Sequence, residues 1–87
     1  MRIIRSKRFT KHARKLPAKI RLALASRIHI FMADPHHAIL NNHSLSGELQ
    51  EYRSINITGD FRMIFEQLDG DTVRLIDIDT HHNLYGS

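Results

Sequence analysis

The chain has 87 residues, 41% of them hydrophobic and 25% charged, with a net charge of +4 and neither cysteine nor tryptophan. It is long enough for one small domain, residues 1–87, and too short for two; at this size folding removes only about 60–65% of the unfolded surface from water. A disulfide scaffold, a thiol nucleophile and a thiolate zinc site are excluded, and no apolar run approaches the roughly 18 residues that span a bilayer.

The start, MRIIRSKR, has no apolar segment of the kind a secretory signal carries, so a cytoplasmic location is expected. Cut before Asp34, the charges separate sharply. Residues 1–33 hold ten Lys/Arg and no acid, whereas residues 34–87 hold three Lys/Arg against nine Asp/Glu. The first part should therefore meet a polyanion or an acidic protein.

Ile3 and Ile4 predict a short strand, and Ser6 is placed to cap the helix that follows. That helix is expected from Lys7 to Leu16. Phe9, Ala13 and Leu16 form its apolar stripe, and Lys7, Lys11 and Arg14 recur at the same spacing on another face. Pro17 suits the first turn of a new helix, which Ile20, Leu24, Ile28 and Phe31 carry to about Met32. Asp34-Pro35 stops it, because proline pushes the preceding residue out of the helical region.

Residues 34–50 read as a loop with one helical turn at Ala38, Ile39 and Leu40. From there the pattern changes to strands: YRSINI, FRMIFEQL and TVRLIDID, separated by Thr58-Gly59-Asp60 and Asp69-Gly70-Asp71. Two hairpins in succession make an antiparallel meander, to which the N-terminal strand can add a fourth member. The expected fold class is α+β with the order β-α-α-β-β-β, two N-terminal helices on one face of a small, twisted, mainly antiparallel sheet.

Seven histidines stand out in so short a chain. His12 and His29 fall in helices and His36-His37 in a loop, where ordinary surface roles account for them. His43 precedes the meander and His81-His82 follow it, and a meander can bring its two ends together. With Asp60 at the first turn, Arg53 and Arg62 on the strands and Tyr85 near the end, the set holds a base, an acid and cations. That is what transfer of a phosphodiester to a neighbouring ribose 2′-hydroxyl requires, and it needs no metal or other cofactor. Each residue also has a structural explanation: Asp60 as a turn former, the arginines as cross-strand partners of acids, Tyr85 as a satellite of the core.

The segment His43-Ser44-Leu45-Ser46-Gly47, then Tyr52-Arg53-Ser54-Ile55, Gly59-Asp60-Phe61-Arg62 and Thr80-His81-His82-Asn83-Leu84-Tyr85 resembles the blocks of the RelE superfamily of bacterial toxins, in its YafQ-like branch of mRNA interferases. The blocks stand in the same order at similar spacing. The basic two-helix part also has that layout, so the likeness spans essentially the whole chain.

The resemblance implies the toxin of a type II toxin–antitoxin system, a metal-independent, ribosome-dependent endoribonuclease that cuts mRNA and inhibits translation. A small antitoxin with an acidic C-terminal segment would block it. His43 and Asp60 match active-site positions, either of them the base. His81 matches the general acid, Tyr85 the aromatic that orients RNA, and Arg62 the phosphate-binding arginine, with Arg53 a further basic position. Lys7, Lys11 and Arg14 would lie against ribosomal RNA.

Two departures bear on activity. Asn56 stands where this branch has another histidine; the resemblance makes it an RNA- or phosphate-binding residue, one that can hydrogen-bond but cannot shuttle a proton near neutral pH. Asp79 replaces the glycine before Thr-His and would bring a carboxylate near His81. The competing readings are a non-enzymatic, ParE-like inhibitor of DNA gyrase, and a metal-binding module built from Asp77, Asp79, His81 and His82.

Overall fold

In the computed structural model, which describes residues 1–85, strand β1 (Arg2–Arg5) runs directly into helix α1 (Lys7–Arg14). Ser6 makes this sharp join. Its Oγ accepts the Phe9 N–H at 3.0 Å, as the sequence predicts for an N-cap, and donates to the Ile76 carbonyl at 2.8 Å. The Ser6 N–H also donates to the Leu75 carbonyl at 3.0 Å. Ser6→Ala loses both side-chain bonds and should destabilise the domain by about 1–2 kcal/mol, read from urea midpoints.

Helix α1 stops two residues before the expected Leu16, although Leu16 N–H still donates to the Ala13 carbonyl at 3.3 Å in a tightened last turn. Pro17 then caps helix α2 (Ala18–Ala33), which Asp34 ends as predicted. Ala38–Leu40 forms the single turn foreseen in the loop. Asn41 closes that turn in the left-handed region, φ 47°, where asparagine is among the few tolerated residues.

Strands β2 (His43–Ser44), β3 (Arg53–Asn56), β4 (Phe61–Gln67) and β5 (Thr72–Thr80) follow, and helix α3 (His81–Tyr85) completes the described chain. The sheet has five strands in the order β1-β5-β4-β3-β2, with β1 parallel to β5 and the other pairs antiparallel. The two-residue β2 and the short α3 were not foreseen. Neither is long enough to show a period. No helix among the described residues is long and apolar enough to cross a membrane.

The register of the hairpins decides which side chains can meet. Ile55, Met63 and Ile78 are opposite one another and are fully buried in one cluster with Phe9, Phe31 and Phe65, so the helices cover this face. The intervening residues, Ser54 and Asn56 on β3 opposite Ile64 and Arg62 on β4, point the other way. Ile64 is buried yet lies outside the main cluster.

A register shift sets Ile64 opposite Asp77 and Phe65 opposite Leu75, which leaves Ile76 as the extra residue of a bulge. The bulge is where Ser6 attaches, and just beyond it the Asp77 carboxylate binds His12 Nδ1 of α1. At the β4–β5 turn the Asp71 N–H donates to the Asp69 carboxylate at 2.8 Å and holds that carboxyl below its usual range. A carboxyl depressed in the folded state adds stability above its unfolded pKa and loses it as the pH falls through the folded one. The advantage of wild type over Asp69→Ala in urea should therefore be present at neutral pH and vanish in strong acid.

Candidate active site

The face of the sheet turned away from α1 and α2 carries a cleft of about 340 Å³ lined by Asn41, His43, Leu45, Asn56, Arg62, His81 and Tyr85. Five of these seven are residues that the sequence singles out. They come from the start of β2, the end of β3, the start of β4 and both ends of α3. Antiparallel pairing explains the convergence: His43 is opposite Ser54, Asn56 is opposite Arg62, and Phe61 is opposite Thr80, the residue before His81.

Each side chain is fixed by a particular partner. His43 Nδ1 pairs with the Asn41 carbonyl at 2.8 Å; a carbonyl can only accept, so Nδ1 carries the proton and the neutral ring keeps its lone pair on Nε2. The Arg62 NH1 group donates to the carbonyls of Thr58, Gly59 and Phe61 at 2.9, 3.1 and 3.1 Å. This clamps the guanidinium to the β3–β4 turn, and among the described residues its Nε and NH2 carry no hydrogen bond. A planar cation held by one edge in this way presents the other edge to an anion.

His81 and Tyr85 lie one turn apart on α3, their rings edge to face with centroids 4.6 Å apart. The Tyr85 hydroxyl is tied to Ser54 Oγ at 3.0 Å, so the ring is a fixed wall. The His81 N–H donates to the Asp60 carbonyl at 2.8 Å, which anchors the start of α3 to the β3–β4 turn.

Other residues named from the sequence lie elsewhere. Asp60 touches the site through that carbonyl, while its side chain is outside the lining of the cleft. Arg53 shares the side of β3 that carries Ile55, one residue out of phase with Ser54 and Asn56, and its Nε donates to Asn42 Oδ1 at 2.8 Å. Lys7, Lys11 and Arg14 gather with Arg5 and Lys15 around a separate groove of about 500 Å³ along α1.

Asp79 does not approach His81 as anticipated. Its carboxylate accepts from Asn83 Nδ2 at 3.0 Å and from the Thr80 N–H at 2.8 Å, at the start of α3. With Asp77 bound to His12, the four residues considered as metal ligands do not converge. Sequence reasoning missed Asn41, whose carbonyl sets the His43 tautomer, and Ser54, which holds Tyr85. Asn41 carried one signal, a residue tolerant of the left-handed region directly after an apolar turn; Ser54 carried none.

No protein-family model matches the chain, and no curated protein matches it. Solved structures do. YafQ from E. coli strain BL21(DE3) aligns with a TM-score of 0.79 and 22% identity over 99% of this chain and 100% of that one. The E. coli DinJ-YafQ toxin-antitoxin complex gives 0.70 and 24% identity over 97% and 96%. The toxin-antitoxin complex RelBE2 from Mycobacterium tuberculosis gives 0.74 and 18% over 92% and 96%. With two N-terminal helices between the first and second strands of a five-stranded sheet, this chain has the fold seen in the YafQ and RelBE2 toxin structures.

Proposed function

We propose that the protein is the toxin of a toxin–antitoxin pair and acts as a metal-independent endoribonuclease on mRNA in the ribosome. The observation that carries this reading is the shared cleft of His43, Arg62, His81 and Tyr85. His43, rather than Asp60, is the base: its Nε2 lone pair is available, whereas the Asp60 carboxylate stands outside the cleft.

In the reaction Nε2 of His43 takes the proton of a ribose 2′-hydroxyl. The 2′-oxygen bonds to the adjacent phosphorus, the bond from phosphorus to the 5′-oxygen breaks, and protonated His81 gives its proton to that leaving oxygen. Arg62 binds the phosphate oxygens as charge builds on them, and Tyr85 offers a face on which a base stacks. The products carry a 2′,3′-cyclic phosphate and a 5′-hydroxyl, and solvent resets the two histidines.

The groove of Lys7, Lys11 and Arg14 suits the phosphates of ribosomal RNA or the acidic segment of an antitoxin. Purified protein added to translating ribosomes should give discrete mRNA ends by primer extension, with the same yield in EDTA. Uncut mRNA under those conditions overturns the reading, and inhibition of gyrase supercoiling without mRNA cuts puts the ParE-like alternative in its place.

A further inference from the structure

Asn56 ends β3 directly opposite Arg62, on the face of the sheet that carries the cleft, and lines that cleft. Its Oδ1 is buried and has no hydrogen-bond partner among the described residues. Asparagine is a poor strand former, and a buried amide oxygen without a donor is costly, so packing alone favours a residue such as valine here. Polar groups left unsatisfied in this way belong characteristically to sites where function overrides local fit. Asn56 Nδ2 likewise makes no hydrogen bond among the described residues, so the amide has donors to offer a ligand in the cleft it lines.

The geometry points to Asn56 as a second anion donor beside Arg62, its Nδ2 hydrogen-bonding a non-bridging oxygen of the phosphodiester under attack. This rests on the endoribonuclease reading above and deepens it. Side chains directly opposite on one face of an antiparallel pair start about 4.5–5.5 Å apart at Cβ, close enough to hold one phosphate between them. An amide holds its protons at neutral pH, so Asn56 supplies a fixed dipole while proton transfer stays with His43 and His81. A preorganised donor at a developing oxyanion is worth about 10²–10³-fold in rate.

The test pairs binding with turnover. The ¹⁵N-labelled full chain is titrated with a 2′-O-methylated dinucleotide monophosphate, which cannot be cleaved, and the Asn56 side-chain amide resonance is followed by NMR. In parallel, mRNA cleavage on translating ribosomes is measured for wild type, Asn56→Asp and Asn56→Val. The Asn56 amide protons should shift on titration. Asn56→Asp, which puts a negative acceptor where the donor stood, should cleave about 100-fold more slowly or worse. Asn56→Val should melt at the same temperature as wild type or higher and still cleave slowly, which a merely structural asparagine would not do.

An amide resonance that stays in place while Arg62 responds overturns the proposal, as does an Asn56→Asp variant that cleaves like wild type. If wild type itself leaves mRNA intact, the endoribonuclease reading falls, and the titration still decides whether Asn56 donates to a phosphodiester.

Discussion

Alanine in place of His81 should slow mRNA cleavage on ribosomes by about 10²–10⁴-fold, the range for loss of a positioned general acid, and leave the domain folded. The two effects separate because of where His81 sits. It is an exposed residue at the start of α3, outside the core, and the bond from its backbone N–H to the Asp60 carbonyl survives in alanine. The ring gives up its edge contact with Tyr85, whose hydroxyl remains held by Ser54. Thermal melting of the variant should therefore stay close to wild type while primer extension shows little cleavage. Wild-type cleavage by His81→Ala would remove His81 as the proton donor, whatever its place in the cleft.

Much of this arrangement could be read from residues whose local chemistry decides the matter. Ser6, Pro17 and Asp34-Pro35 mark helix boundaries through capping and through the steric demands of proline, and the structure has its boundaries there within two residues. Asp69-Gly70 marks the β4–β5 turn equally well. What escaped is non-local. The pairing of His43 and Ser44 with β3 involves two residues, and the bulge at Ile76 is bonded by Ser6, seventy residues away in sequence. Arg53 is the instructive case among the site residues. Its strand parity with Ile55 already set it on the helix-covered side, so attention to the period of two would have removed it from the cleft. Asp60 differs, since no period governs a turn residue and only the tertiary fold decides which way its carboxylate points.

Phe31→Ala should destabilise the protein by about 3–5 kcal/mol, a large share of the roughly 5–15 kcal/mol that holds a small domain together. Phe31 is fully buried, the point at which α2 reaches the sheet, with its ring edge to face with Phe65 at 4.8 Å. Alanine loses the transfer free energy of the ring and leaves a cavity under a helix that a neighbouring strand cannot follow inward. Leu22 on the same helix is 73% exposed, so Leu22→Ala should change stability by no more than a few tenths of a kcal/mol. The spacing of Ile20, Leu24, Ile28 and Phe31 already sets Phe31 on the apolar stripe of α2 and leaves Leu22 off it. The urea midpoints of the two variants separate them. The core lies on the face of the sheet opposite the cleft, so Phe31→Ala should reduce cleavage only by reducing the folded fraction. Activity per folded molecule should match wild type, where His81→Ala keeps the fold and loses the rate. A Phe31→Ala protein that unfolds at the wild-type urea midpoint would mean that α2 is not anchored through Phe31.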